Sequence, residues 1–594
     1  MPGISITDYF KFAQVKINDH QNDYMRRISS ILLFLFIIGQ VNSQQNEHLD
    51  RFIDSLFQPI DNKNSPGIAV IVLQDGKAIA RKHYGMANLE HQVPFIQKTP
   101  VRLGYSGTRE FLCVSLALMK AQGLLKFQDR IRNYLPKLPA WSADVTIQDL
   151  LNHSSGFDDE WGTMLLMQAD MGNRVDKEQL FQLVYNQPRP QVAPGKGYMY
   201  SNTDFALLRS IMEMASGQSL PDYIQKNLFG PLGMNNSFMN DNLLQVIPGF
   251  AENYNGAGPY FKTLSVKTSP GGNYRFVTTA EDLEKWTKAI EDENSMAAKA
   301  ISELMKNARP IPVLSPEVHY TFGHEWQKIG SRQIIKHGGV NHDFYITRVP
   351  SLGVSIIGLG NSLNNMKKAE SVAHFFIPSE GEKRSSPVFP SEAVNVKKDV
   401  LATYAGRYFE KTRNTHSSHI PAIRFYDIKF EGDSLLFYYT SNQFFSMLPL
   451  GNGYFKDPEY GAVLQFTRPH VDSSMELAVW VPDGTNLYFQ RSTNMATPTN
   501  EYLQQFTGNY YSPHLDFYCR IVLNEKNELV LKRPTISDKT LVPNGKDLFL
   551  FEMESGGGDS WYVRTEFTRN ANGQLNGIEM QHIRMMHHRF EKVK

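Results

Sequence analysis

The stretch Leu401 to Phe409, LATYAGRYF, returns as Leu503 to Tyr511, LQQFTGNYY, at an offset of 102 residues. Further on, Leu435 and Pro449 match Leu529 and Pro543 at an offset of 94, so the first copy carries about eight extra residues, assigned to His416 to Ile423. The C-terminal part of the chain therefore holds one small unit twice, over 399–495 and 499–594. In both copies the helical pattern vanishes and short alternating runs are separated by turns such as Glu431-Gly432-Asp433 and Asn570-Ala571-Asn572-Gly573. That pattern predicts a small antiparallel barrel or sandwich. The final run MQHIRMMHHRFEKV reads as a strand, and Gly556-Gly557-Gly558, with no helix pattern after it, reads as a strand connection.

Upstream, residues 377–398 are rich in Pro, Ser and charge and read as a linker. Before it the texture is mixed. Gly67 to Leu73 and Lys77 to Tyr84 are β-rich runs flanking Gln74-Asp75-Gly76, a hairpin signal. Thr278-Thr279-Ala280-Glu281 reads as a capping box opening the helix EDLEKWTKAI, with Glu281 reaching back to the Thr278 amide. Val354 to Leu359 reads as a buried strand. An α/β unit over 47–376 results. With 41% apolar residues among 594 there is ample material for packed cores. The balance of 61 basic against 60 acidic residues gives no support for a nucleic-acid partner.

Chemistry concentrates in three places. In VRLGYSGTRE, a Gly-Tyr-Ser-Gly turn feeds an apolar helix and sets Ser106 at its N-terminus, where unpaired N–H groups favour developing negative charge. The same placement also suits a plain helix cap. Tyr200-Ser201-Asn202 lies inside PGKGYMYSNTDFALL, and His337-Gly338-Gly339 inside IIKHGGVNHDF. In order and spacing the three stretches resemble the motifs of the penicillin-recognising serine hydrolases, which include β-lactamases, D-aminopeptidases and related esterases. The likeness runs through SPGIAVIVLQDGKAIARKHYGMANLE, VTIQDLLNHSSGF and SLGVSIIGLGN, from about Glu47 to Asn361. It implies a β-lactamase/transpeptidase-like domain, an antiparallel sheet covered by helices with the site between sheet and helices. The D-aminopeptidase branch further implies two eight-stranded, lipocalin-like barrels behind it.

Carried over by position, the resemblance makes Ser106 the nucleophile and Tyr200 the base and later acid. The N–H groups of Ser106 and Val340 become the oxyanion donors, and Asn202, His337 and Gly339 bind substrate. One departure matters. The family's Ser-x-x-Lys reads Ser106-Gly107-Thr108-Arg109, and no Ser in the chain has Lys three residues later. Neutralising Arg at pH 7 costs about 8 to 9 kcal/mol, so Arg109 cannot act as a base. It can supply a fixed positive charge beside Tyr200, or pin Ser106 and Tyr200 in an unproductive geometry. Two functions follow. One is a serine hydrolase cleaving a small amide or ester, such as a D-amino-acid peptide, through a Ser acyl-enzyme. The other is a silent homologue that holds a cell-wall peptide or a partner.

Met25-Arg26-Arg27, the apolar run Ile31 to Ile38 and Val41-Asn42-Ser43 have a signal-peptide layout, too short to remain as a membrane span. An exported protein, periplasmic or extracellular, is expected, with residues 1–43 forming an upstream extension and the signal. Cys113 and Cys519 are the two cysteines and read as buried thiols. No Cys/His zinc spacing occurs, including around His582, His587 and His588, and neither metal nor cofactor is expected. The expected ligand is a small molecule or peptide.

Overall fold

The computed structural model describes residues 46–167, 177–242, 245–255, 261–263, 275–310, 319–329, 332–338, 344–377, 389–410, 425–438, 444–458, 462–468, 474–480, 486–491, 498–534, 536–554, 560–582 and 585–593. The signal-like segment, Gly339, Val340, His416 to Ile423 and the triple glycine lie outside the described residues.

The longest apolar runs become the middle of one sheet. β1 (Ile68–Gln74) and β8 (Val354–Gly360) pair antiparallel, buried along nearly their whole length, which joins the beginning of the unit to its end. β2 (Lys77–Tyr84) returns beside β1 through a turn in which Asp75 and Gly76 have φ of 49° and 71°, as the Asp-Gly signal requires. The remaining strands are β3 (Arg309–Pro310), β4 (His319–Thr321), β5 (His324–Ile329), β6 (Arg332–Gly338) and β7 (Phe344–Val349). The order is β3-β4-β5-β6-β7-β8-β1-β2, antiparallel throughout.

Helices cover both faces. Ile53, Phe57, Val70, Ile356 and Val372 form a core between one face and the flanking helical segments. The other face packs on α1 (Tyr105–Ala121), α2 (Glu160–Met167) lies further out, and α3 (Asn202–Ser216) runs beside α1. Phe111 of α1 meets Trp286 with ring centroids 4.7 Å apart, the centre of the larger core. The expected capping box is not formed, and the cap lies one residue further on. Thr279 is the cap, accepting from the Asp282 amide, because Thr278 ends a strand and its hydroxyl is engaged by Ser237.

Both C-terminal copies are β-rich, but each opens on a short helix, Lys398–Thr403 and Asn500–Gln504, too brief for periodicity to reveal. Equivalent tyrosines then lock the turn that follows: Tyr408 Oη donates to Tyr404 O and Tyr510 Oη to Phe506 O, both at 2.7 Å. In the second copy eight strands close into a barrel, and its last run is two paired strands, Leu575–His582 and Met585–Val593, rather than one. In the first copy the described strands form a nine-stranded sheet whose edges, Phe444–Ser446 and Leu448–Gly451, are separated only by Met447. The sheet is therefore curled almost to closure. The equivalent segment of the second copy is one bent strand, Ile536–Gly545. Within the expected linker, the Phe389 ring lies 5.1 Å from that of Trp480 and Val394 N donates to Pro449 O at 3.0 Å, so its second half is attached to the first copy.

The closed barrel is docked on the α/β unit. Leu165 and Leu166 of α2 belong to the same apolar cluster as Phe506, Phe551 and Met553 inside the barrel. Arg533 donates to Leu166 O at 3.1 Å, and Met586 N donates to Gln191 Oε1 at 2.5 Å. Cys113 and Cys519 are buried free thiols. Among the described residues no helix is long and apolar enough to cross a membrane.

Candidate active site

Ser106 is the second residue of α1, the place expected for it; its side chain lies outside what is described. The first turn of that helix is pressed onto the sheet. A Cβ on Gly107 would sit 2.4 Å from a ring carbon of Phe344, so glycine at this position lets the helix start approach β7. Gly323 works from the other side. Its φ is +89°, and a Cβ there would meet Arg109 Cβ at 2.9 Å.

Arg109 is 2% exposed and is the hub of the site. Nη2 donates to Asn202 Oδ1 at 2.7 Å and Nη1 to Tyr320 Oη at 3.2 Å, with His153 Nε2 at 3.4 Å. Its guanidinium carbon lies 4.2 Å from the Tyr200 ring centroid and 4.6 Å from that of Phe205. Burial works against the charge, but Tyr200, Tyr320 and Tyr198 around it raise its pKa further, so the group stays charged. The structure thus brings Arg109, Tyr200 and Asn202 together. Asn202 reaches this position because its amide donates to Asp159 Oδ1 at 2.7 Å, while Ser201 Oγ donates to Asp158 O at 3.0 Å.

His337 is buried on β6, Nδ1 2.9 Å from Glu110 Oε2, with its ring stacked on His324 at 4.8 Å. Glu110 also lies 3.0 Å from His324 Nε2 and 4.0 Å from Arg348. Burial opposes ionisation of Glu110, but His324 and His337 hold its pKa well below the ordinary carboxylate value. Gly339 and Val340 are outside the described residues, so the third motif is represented by His337 and Gly338.

Four groups at the site escaped the linear reading: His153, Tyr320, Glu110 and His324. His153 sits within LLNHSSGF, one of the stretches carrying the resemblance, in a left-handed conformation with φ of 52°. Its Nδ1 is 2.8 Å from Asp204 Oδ2 and its Nε2 3.1 Å from Tyr320 Oη, and its ring lies 4.7 Å from that of Tyr200. Tyr320 carried no signal, since it lies 211 residues from the arginine it binds. Buried Asp204, His153 and Tyr320 form a continuous chain that ends on Arg109.

His324 provides a pH test. Burial pushes its pKa down from 6.5 to about 4. Between those values the unfolded chain binds the proton and the folded chain does not, so stability is fully present above 6.5 and is lost as pH falls towards 4. Denaturant midpoints of the wild type should fall across this window, and those of His324→Gln should fall less steeply. Parallel curves for the two proteins would refute the assignment.

A helix-covered antiparallel sheet with a Ser at a helix start, a Tyr-x-Asn stretch and a strand ending on His337 and Gly338 defines a penicillin-recognising serine hydrolase fold with D-aminopeptidase-like architecture. A family model described as Beta-lactamase matches residues 51–375, more than half of the chain, and the chain belongs to that family. Penicillin-binding protein 4* of Bacillus subtilis (strain 168) is 29% identical over 185 residues, 31% of this chain and 40% of its own length. A D-aminopeptidase of Gluconobacter oxydans (strain 621H) is 24% identical over 329 residues, 54% of this chain and 60% of its own. The chain therefore spans 40 to 60% of the length of these relatives. The structure of the octameric penicillin-binding protein homologue from Pyrococcus abyssi shares the fold, with a TM-score of 0.50 and 19% identity over 75% of this chain and 99% of that one.

Proposed function

We propose that this member of the family is an exported serine hydrolase that cleaves a small amide or ester, with a D-amino-acid peptide as the leading substrate class. The observation that carries the reading is the position of Arg109, hydrogen-bonded to Asn202 and 4.2 Å from the Tyr200 ring. A fixed cation joins the first motif to the second where the family has an ionisable one. Ser106 Oγ adds to the substrate carbonyl carbon and Tyr200 accepts its proton. The Ser106 and Val340 amides receive the oxyanion. Tyr200 then returns the proton to the leaving nitrogen or oxygen as its bond to carbon breaks, and water releases the acyl group. His337 and Gly339 are assigned to substrate binding, His337 beside the substrate carboxylate or the leaving group. The D-aminopeptidase relative supports the substrate class. Export rests on the Arg26, Arg27 and Ile31 to Ile38 layout, and N-terminal sequencing of secreted material checks it: a chain beginning before Met25 refutes it.

One observation favours the second reading, a silent binder. Both terminal nitrogens of Arg109 are engaged by Asn202 and Tyr320, which immobilises the cation. A fluorophosphonate decides between them. Covalent labelling and ester turnover, both abolished in Ser106→Ala, are expected. Wild-type protein that neither labels nor turns over is the silent binder, and turnover that survives Ser106→Ala places the site elsewhere.

A further inference from the structure

Away from Arg109, at the seam between the catalytic unit and the closed barrel, three side chains from distant parts of the chain converge. Asp158 precedes α2, His514 lies in the turn between the barrel strands Gly508–Ser512 and Phe517–Leu523, and His588 is on the barrel's last strand. Each offers one ligand atom, and the three atoms lie within 4.8 Å of one another. His514 Nε2 is 3.5 Å and His588 Nε2 3.8 Å from Asp158 Oδ2, with the imidazoles stacked at 5.4 Å.

The groups are arranged as ligands and are left over as hydrogen-bonding partners. Both carboxylate oxygens of Asp158 and both ring nitrogens of His588 are buried without a hydrogen bond, and His588 is 1% exposed. Orphans of this kind are rare in folded proteins, because each forfeits about 1–3 kcal/mol of solvation. Asp158 and His514 border a cavity of about 10 Å³, whose wall also includes the unpaired oxygens Glu160 Oε2 and Thr163 Oγ1. That is room for one small ion. Nothing in the hydrolytic chemistry uses these residues.

We propose that Asp158, His514 and His588 form a binding site for one divalent transition-metal ion, zinc fitting best, that clasps the C-terminal barrel to the catalytic unit. Two imidazoles and one carboxylate are a donor set that suits zinc and its neighbours, and not calcium or magnesium. Tetrahedral zinc with bonds of about 2.0–2.2 Å sets its ligand atoms roughly 3.3–3.6 Å apart, so the Asp–His separations of 3.5 and 3.8 Å need little contraction. His514 Nε2 is also 3.3 Å from Leu183 O, and ligation places its proton on Nδ1 instead. The site is invisible to linear spacing, since its ligands lie at 158, 514 and 588. It also reaches the catalytic floor, because Asp158 O accepts from Ser201 and the neighbouring Asp159 holds Asn202.

The full chain, treated with chelator and dialysed, should be titrated with Zn²⁺ and with Co²⁺. One saturable ion per chain is expected, with cobalt giving the visible absorption of a four-coordinate nitrogen and oxygen site. Zinc should raise the melting temperature. His514→Asn, on the partly exposed ligand, and Asp158→Asn should each weaken binding at least tenfold; His588→Ala should do the same if it folds. The wild-type cobalt spectrum tests the site even where a variant fails to fold. No saturable binding to wild type overturns the proposal, as does binding that His514→Asn and Asp158→Asn leave unchanged, which assigns the ion to another cluster such as Glu110, His324 and His337.

Discussion

Replacing Tyr200 by Phe is expected to reduce ester turnover by about 10² to 10⁴, the usual contribution of a general base, while leaving the fold intact. The ring remains to carry the guanidinium of Arg109, whose centre lies 4.2 Å from the centroid, and only the proton acceptor is removed. Arg109→Lys should behave in the opposite way. An ammonium group keeps a positive charge at the same depth but offers a point in place of a fork, so it cannot serve both Asn202 and Tyr320 as Arg109 does. A loss of about 1–3 kcal/mol in stability follows from the acceptor left unpaired. Turnover should be kept or raised, because lysine can exchange a proton within the accessible pH range. Arg109→Met should remove both activity and stability, leaving Asn202, Tyr320 and His153 facing an apolar side chain. The three variants should be compared in one ester assay beside their denaturant midpoints. Equal turnover in wild type and Tyr200→Phe would remove Tyr200 from the chemistry, and a fall in Arg109→Lys as deep as in Arg109→Met would show that the fork itself is required.

Leu166→Ala is expected to cost about 2–5 kcal/mol, as large-to-small substitution in a closed core does. The effect should appear in the barrel even though the substitution is made in the α/β unit. Leu166 is 1% exposed and packs among barrel residues such as Phe506 and Phe551, while its carbonyl accepts from Arg533, itself pushed down to a pKa of about 10 by burial. Shortening the side chain opens a void at the seam and loosens the only-partly polar contact that Arg533 and Gln191 complete. Fluorescence-detected unfolding should show an earlier transition for the barrel, and limited proteolysis should release it more readily. A Leu166→Ala protein as stable as wild type would mean that α2 rests on the barrel without supporting it.

The hairpin at Asp75-Gly76, the buried strand at Val354 and the repeat at an offset of 102 were all legible in the sequence, because each rests on neighbours a few residues apart or on repetition of the same chain. Short-range rules lost accuracy where a neighbour from elsewhere intervened. Thr278 looked like a cap until Ser237 engaged its hydroxyl, and the cap moved to Thr279. The final run looked continuous until its own pairing, with His582 opposite Met585, folded it back into two strands.

What the sequence determined alone was the family's order of motifs, the Arg at position 109 and its permanent charge, since these depend on residue identity and intrinsic chemistry. What only the tertiary structure decided was the company that charge keeps. Tyr320, His153 and Asn202 come to Arg109, and His514 and His588 come to Asp158, through the closure of a sheet and the docking of a barrel. Contacts between groups hundreds of residues apart leave no periodic trace in the chain; they are selected by which apolar faces bury one another, and polar partners are then set by where those faces meet.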